Sequence, residues 1–526
     1  MGRRGADVAR RVDNRNVSAT IAPLATWTSL HPAALAWAEG RITLPESLPG
    51  PCERSPALAA ALGSTNARWG NPVGADLDAW LSGSEVVVTG QQPGLLGGPA
   101  LTLVKACAVA AEVARRRATG RRAVGFLWLA TADDDLPEMR WARVPVGEAL
   151  LVAREEGWQR GDAVGGLAVL GDACSRLLEG LDAGALGELA APAVELAREC
   201  FAPGVVLGEA CGRFLGRLLL GQGVVLVDAL DPELARAGAP VVQRALARLP
   251  DVTADLRKQA EAFEARGWSV PIKVAPHRLP VFRREGDRRV SLSSRDGRCP
   301  EDVLVAHARE PESFLPNVWL RPLLADAVLG TDTSILGGAE VAYHLQAAGG
   351  WELVGVRRSI WRLRPHVTVV SAAERRLARQ LGLDPADVLR PGPPGSALPG
   401  CGVRRRLQRL QAGSERELGT LLAAARAELP GLVGDVEATA KRLQGSLGWL
   451  GERLENASLR ASETQAGRWR RLRAFLRPDG KAQERHLSVL APLLRLGVGF
   501  AGQLASAVDP GHPGMQLLGW EEGGLW

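Results

Sequence analysis

The chain has 526 residues, 46% of them hydrophobic and 23% charged, an ordinary globular composition that excludes wholesale disorder and, at this length, predicts more than one structural unit. Its net charge of +6 comes with acidic residues interleaved throughout, so no basic tract argues for a nucleic-acid partner. The most apolar run, "LAPLLRLGVGFAGQLASAV", is broken by Arg495 and glycines, and the start "MGRRGADVARRVDNRN" has no apolar signal region; no membrane span is expected, and the cytoplasm is the expected location.

Cysteines at 52, 107, 174, 200, 211, 299 and 401 are odd in number and scattered, with no C-x-x-C, which indicates neither a disulfide framework nor a zinc knuckle. Only five of the 64 basic residues are lysine (105, 258, 273, 441 and 481), and Tyr343 is the sole tyrosine. A lysine that survives in so arginine-rich a chain points to a role that a guanidinium cannot fill.

From about residue 84 to 370, the runs "EVVVTG", "VGFLWLA", "GVVLVDA" and "WELVGV" alternate with helical stretches. They are nearly all apolar, as expected of strands covered on both faces, and predict an α/β core with a parallel sheet. The core spans 1–384, interrupted by connecting elements at about 140–220 and 255–315; the second holds a predicted hairpin around "REGD". "PADVLRPGPPGSALPGCGV" is too rich in Pro and Gly for regular structure and opens a linker over 385–413.

Residues 414–526 read as a helical coiled-coil domain. Ser414 and Glu417 suit a capping box, and a seam runs from Leu418 and Leu422 to Leu450 and Leu454 at 3- and 4-residue spacings. Pro430 should kink or interrupt it. Helices around "GRWRRLRAFL" and "ERHLSVLAPLL" are expected to fold back into an antiparallel arm, and so long a seam predicts a homodimer.

Chemistry is expected first at "VVVTGQQPGLLGGPALTLVKA". Gly90, Gly94, Gly97 and Gly98 permit a close strand-to-helix turn, and Pro99 suits the first helical position. The backbone N–H groups of such a helix start form an anion site. The turn matches neither G-x-x-x-x-G-K-[ST] nor G-x-G-x-x-G. Gln91 and Gln92 add amide donors and acceptors, and Lys105, two turns into the helix, leans back toward the turn. The other reading is a structural turn with an exposed lysine.

The second strand ends in Asp133, Asp134 and Asp135, with Glu138 close behind. These carboxylates are read as ligands of Mg²⁺, as a base, as partners of an ammonium group, or as a solvated loop. The third ends at Asp228, with Asp231 as a helix cap. Further along, Asn317 and Arg321 flank an expected short strand, and Gly337 and Gly338 lead into a helix bearing Glu340, Tyr343 and His344. No G-x-S-x-G, H-E-x-x-H or catalytic-cysteine signature occurs.

Together with "FLWLATADDDLPE", "LPNVWLRPLLAD", "GGAEVAYHLQ" and "LRPDGKAQERHLSVL", the turn resembles, in order, the motifs of the bacillithiol-biosynthesis cysteine-adding enzymes, the BshC family. The resemblance implies a Rossmann-like core with inserted connecting elements and a C-terminal helical coiled-coil domain that dimerises. It also implies a cysteine ligase adding L-cysteine to glucosaminyl-malate by amide formation, with ATP and Mg²⁺ as expected cofactors. The family's glutamine pair, glycine turn and helix lysine fall on Gln91 and Gln92, Gly97 and Gly98, and Lys105; its Q-E-R element falls on Gln483, Glu484 and Arg485, in the helical domain. Where the family reads E-D-H-D-F, this chain has Ala132, Asp133, Asp134, Asp135 and Leu136, without the histidine.

Lys105, Asp133 and Asp135 are therefore expected to be catalytic. Gly90, Gln91, Gln92, Gly97, Gly98, Asn317, Arg321, Gly337, Gly338, Glu340 and Tyr343 are expected to bind substrate, and no metal ligand set is assigned. The rival readings are a dimeric small-molecule or nucleotide-binding protein that lost catalysis with the histidine, and a coiled-coil adaptor with a vestigial core.

Overall fold

The computed structural model describes residues 11–14, 17–22, 30–46, 54–161, 163–181, 187–275, 277–389, 401–460, 463–512 and 514–520. In chain order its strands are β1 (Arg11–Asn14), β2 (Val17–Ala22), β3 (Glu85–Gln91), β4 (Ala123–Leu129), β5 (Trp141–Val146), β6 (Ala149–Arg154) and β7 (Val224–Asp228). There follow β8 (Arg278–Glu285), β9 (Arg288–Ser293), β10 (Phe314–Pro316), β11 (Thr333–Leu336), β12 (Ile360–Leu363), β13 (His366–Val370) and β14 (Met515–Trp520). The chain divides into two units: one holds Met1–Val146, Leu150–Val369 and Gln483–Trp526, the other Gly147–Ala149 and Val370–Ala482.

At the centre of the first unit is a sheet in the order β12-β11-β3-β4-β7, parallel at every pairing. Successive residues of a strand face opposite ways, so a strand covered on both sides must be apolar at each position. Val86, Val88, Phe126, Trp128 and Val227 enter one core with Trp80, Leu246 and Leu320. Val87, Leu127, Leu129 and Leu226 enter another with Leu103, Phe214 and Leu490. The edge strand β7 is closed by side-chain amides: Asn66 exchanges hydrogen bonds with both the N–H and the C=O of Leu226, and Asn71 donates to Val224 O, which leaves no open template on that stretch.

From β3 the sheet grows outward through β4 and β7, and the chain then crosses back to lay β11 and β12 on the other side of β3. The strand order thus reverses between β3 and β11. In open α/β sheets the carboxyl ends at such a reversal form a crevice.

The connecting elements lie between these strands. The β5-β6 hairpin and the helices Ala173–Glu179, Ala190–Cys200 and Leu207–Leu218 fall between β4 and β7. The expected hairpin around "REGD" is β8-β9, extended by β10 into a three-stranded sheet. Two short segments differ from expectation. "WELVGV" is not a strand: Gly349–Val354 is a helix, and the edge strand is β12, because a short apolar run does not by itself distinguish the two. Asn317 and Arg321 flank no strand but begin the helix Leu320–Leu329.

The second unit contains the antiparallel helices Cys401–Glu428 and Val433–Arg460, with Gln411 reaching Leu447 O and Arg426 reaching Glu437. Pro430 opens a single 3₁₀ turn between them, so it reverses the chain instead of kinking one long helix. Part of the expected linker is helical: Pro385–Leu389 and the stretch from Cys401 onward form helix, while 390–400 lie outside the described residues. Ser414 does not cap a helix either; it sits inside one and donates to Gln411 O.

The largest departure concerns the expected helical domain over 414–526, because its last segment, Gln483–Trp526, folds with the first unit. Helices Leu490–Leu496 and Phe500–Ala507, bent 97° from each other, bury Leu490, Leu493, Leu494 and Phe500 against the α/β core, and β14 pairs with β2. Apolar helix content alone does not reveal which core a segment joins. Among the described residues no single helix is long and apolar enough to cross a membrane. Since Leu493 is fully buried, Leu493→Ala is expected to cost about 2–5 kcal/mol, against less than about 1 kcal/mol for the exposed Leu450→Ala. Urea unfolding of both variants measures this, and equal effects would mean that the terminal segment lies outside the core.

Candidate active site

The crevice at the β3/β11 reversal opens into a cleft of about 1010 Å³. Gly90, Gln91, Gln92, Lys105, Asp133, Asn317, Arg321, Gly337, Gly338, Glu340 and Tyr343 all line it. Residues more than 200 positions apart in sequence therefore share one site.

Its frame is an ion pair. Lys105 lies on the helix Leu101–Ala118 and reaches back toward the turn, as helical side chains do. Its Nζ donates to Gly90 O at 2.7 Å, Gln91 Oε1 at 3.1 Å and Glu340 Oε2 at 2.5 Å. An ammonium has three protons, so the three acceptors saturate it. Glu340 Oε2 also accepts the Gly337 N–H at 2.6 Å, which locks the second glycine turn to the first. Burial pushes the Lys105 ammonium below its ordinary pKa, against the pull of Glu340. Burial also opposes ionisation of Glu340, but Lys105, the Gly337 N–H and Arg321 together hold the carboxyl below the usual range.

Arg321 approaches from the helix Leu320–Leu329. Its Nη1 lies 3.2 Å from where a Cβ on Gly90 would stand, so the glycine makes room for a guanidinium. Arg321 donates to the Tyr343 hydroxyl at 2.5 Å; burial pushes the Tyr343 pKa up, which keeps that hydroxyl protonated. Asn317 caps this helix, accepting from Trp319 N and Leu320 N. Trp128, buried in the cleft wall, has an indole Nε1 without a partner.

The first turn differs from the expected anion cradle. Leu96, Gly97 and Gly98 all have positive φ (52°, 85° and 74°), and the helix starts only at Leu101. The backbone N–H of Gly94 donates to Cys211 Sγ, that of Gly98 to Leu95 O and that of Ala100 to Leu487 O. Gly97 packs so tightly that a Cβ would stand 3.0 Å from Phe214 and Val489. Gly97 and Gly98 shape the turn and lie away from the cleft lining.

The acidic run is divided among three partners. Asp133 Oδ2 accepts from Gln92 Nε2 at 2.5 Å, and its Oδ1 accepts the Asp134 N–H at 2.8 Å. Asp134 pairs with Arg289 of β9, whose guanidinium also lies 3.8 Å from Asp133 Oδ1 and 4.3 Å from the Phe282 ring centroid. Asp135, outside the cleft lining, pairs with Arg160. Asp133, Asp134 and Asp135 thus do not present a shared oxygen set, and no group of three His, Cys, Asp or Glu side chains among the described residues is placed to hold a metal. This donor set does not fit a resident Mg²⁺. Asp228 is engaged by Thr131 and the Leu230 N–H, and Asp231 caps the helix Pro232–Ala247.

The cleft also contains residues that sequence reasoning did not assign. Arg364 and Arg485 border it. Arg364 is 1% exposed and forms a bidentate pair with Glu484 at 2.7 and 3.0 Å. The Q-E-R pattern was visible, but nothing local tied it to this cleft.

Two family models match, one described as "Bacillithiol biosynthesis BshC, N-terminal Rossmann-like domain" over residues 50–365, the other as its "C-terminal coiled-coil domain" over 405–520. The chain belongs to the BshC family. Among its relatives, each named "Putative cysteine ligase BshC", the Koribacter versatilis protein is 30% identical over 63% of this chain and 64% of its own length, just under two thirds. The Solibacter usitatus protein is 26% identical over 87% and 88%, and a Thermus thermophilus protein 29% over 76% and 81%. The expected Rossmann-like core and C-terminal coiled-coil domain are thereby established for this BshC chain. Within its Ala132 to Leu136 stretch, Asp134 is held by Arg289.

Burial opposes ionisation of Glu484 too, yet Arg364 and His366 together hold it far below the usual range. A carboxyl whose folded pKa is depressed contributes stability in full above the unfolded value, about 4.3, and loses it as pH falls through the folded value. Glu484→Gln is therefore expected to destabilise the protein by about 3–5 kcal/mol at pH 7, because Arg364 is left buried and unpaired. The gap to wild type should narrow at about pH 3.5, below the unfolded value. Urea unfolding at the two pH values checks this; a gap that widens in acid contradicts it.

Proposed function

We propose that the protein is a cytoplasmic cysteine ligase that joins L-cysteine to glucosaminyl-malate in the last step of bacillithiol biosynthesis. The observation that carries this reading is the convergence of Arg321, Tyr343, Asp133 and the Lys105–Glu340 pair on one cleft at the sheet reversal, in a chain of the BshC family. The new amide joins the cysteine carboxylate to the sugar amine. A carboxylate oxygen is a poor leaving group, so it must first be activated, and ATP is the proposed donor. The carboxylate displaces part of the ATP phosphate chain, the amine then attacks the acyl carbon and loses a proton, and the phosphorylated oxygen departs.

In this scheme Arg321 and the protonated Tyr343 hydroxyl face anionic oxygens, where fixed donors act most strongly in a site shielded from water. Lys105 supplies field rather than a free hydrogen bond, since its three protons are taken. Asp133, steadied by Gln92, faces the cysteine ammonium. Asp135 has no role in the scheme because it lies outside the cleft lining. The exposed Leu421, Leu429, Leu432, Leu443, Trp449 and Leu450 of the helical pair support a homodimer in which a second copy covers them.

One observation favours a second reading, a catalytically altered dimeric binding protein: position 134 carries an aspartate tied to arginine. Mass spectrometry of the protein incubated with glucosaminyl-malate, L-cysteine, ATP and Mg²⁺ separates the two. Bacillithiol is expected in the complete mixture and in none that omits a component, with ADP or AMP identifying the ATP cleavage. Ligand binding without product would instead establish the binding protein.

A further inference from the structure

The Gln483–Glu484–Arg485 element ends a long excursion through the helical unit and returns to the first unit. There it docks onto β13 and the residues before it. Gln483 behaves like a strand residue: its Nε2 donates to Val369 O at 3.0 Å, and its Oε1 accepts Val369 N–H at 2.7 Å. Glu484, 1% exposed, takes both guanidinium arms of Arg364, accepts Val367 N–H at 3.0 Å and meets His366 Nδ1 at 3.1 Å. Arg364 in turn lies close to the second glycine turn, its Nε and the Lys105 Cε both 3.9 Å from a Cβ built on Gly337.

Arg485 follows these two clamped residues. It is exposed, lines the cleft and makes no hydrogen bond or ion pair among the described residues. Three cations of the cleft lining are engaged by carboxylates: Lys105 by Glu340, Arg364 by Glu484 and Arg289 by Asp134. Among the described residues, the Arg321 guanidinium has only a neutral hydroxyl as its hydrogen-bond partner. Arg321 and Arg485 thus line the cleft with no carboxylate paired to either among the described residues.

An unpaired surface arginine is by itself unremarkable. This one is held differently, because its neighbour is fixed in a fully buried ion pair. Such pairs are costly to desolvate and are best explained where they secure position. Guanidinium forks bind carboxylates and phosphates through paired hydrogen bonds.

We propose that Arg485 is a substrate-binding residue that, with Arg321, clasps anionic oxygens of the ligand, and that Glu484 is the positioning residue holding it at the cleft. The proposal rests on the ligase reading, in which two ligands carry such oxygens: glucosaminyl-malate through its carboxylates and ATP through its phosphates.

Isothermal titration of the full-length protein with glucosaminyl-malate and, separately, with ADP tests it. Arg485→Gln is expected to weaken one of the two at least about tenfold, with Arg485→Lys recovering part of the loss and the other ligand unaffected. Loss confined to glucosaminyl-malate identifies a carboxylate, and loss confined to ADP a phosphate. Since Arg485 makes no hydrogen bond or ion pair with the described residues, the melting temperature of Arg485→Gln should match wild type; a large fall would overturn the proposal by showing a role in the fold. Equal binding of both ligands by wild type and Arg485→Gln overturns the Arg485 assignment alone, whereas a wild-type protein that binds neither ligand overturns the ligase reading with it.

Discussion

The cleft depends on the buried pair between Lys105 and Glu340. It joins the helix after β3 to the helix after β11, the two strands between which the strand order reverses. Without it, two glycine-rich turns would face each other across a crevice with nothing to set their spacing. The pair also explains why lysine survives here in a chain that uses arginine almost everywhere else. A compact ammonium on a flexible stem can point one proton at each of Gly90 O, Gln91 Oε1 and Glu340 Oε2, whereas a planar guanidinium presents its donors in a fixed fork. The two adjacent glutamines divide the work: Gln91 helps hold the lysine, and Gln92 holds Asp133.

The acidic run illustrates how a sequence cluster can dissolve in three dimensions. Three consecutive carboxylates repel one another, and the fold offsets this by setting Arg289 between Asp134 and Asp133, Arg160 against Asp135, and Gln92 against Asp133. Each cation comes from a different connecting element, so the run fastens both insertions to the end of β4. Asp134 is part of that fastening. Its side chain is committed to Arg289, and Asp133 alone of the three lines the cleft.

Much of this was legible because the signals were local. Uniformly apolar runs marked β3, β4 and β7, and the hairpin and both glycine turns followed from turn chemistry. The leaning of helical side chains predicted that Lys105 would reach its turn. What could not be read was set by partners far away. Glu340, which saturates Lys105, lies 235 positions along the chain, and Arg289 lies 155 from Asp134. "WELVGV" failed for the opposite reason: it is too short for apolar content to choose between helix and strand. The boundary at the end of the helical unit was invisible because the buried helices after residue 483 are as leucine-rich as the exposed helical pair before them.

That return of the chain has a consequence for assembly. Arg364 reaches the cleft beside Lys105, but its carboxylate, Glu484, lies 120 residues further on, beyond the whole helical unit. Until that carboxylate docks, a guanidinium destined for a fully buried position has no counter-charge, and burying it alone is strongly unfavourable. The wall of the cleft therefore depends on the segment after the helical unit, which also brings β14 and the helices that fill the core. Contacts of such long sequence separation carry the largest loop-closure cost, and the antiparallel helical pair reduces it by folding most of the intervening chain back on itself. The segment that gives Arg364 its counter-charge thus also carries Arg485 in the cleft lining.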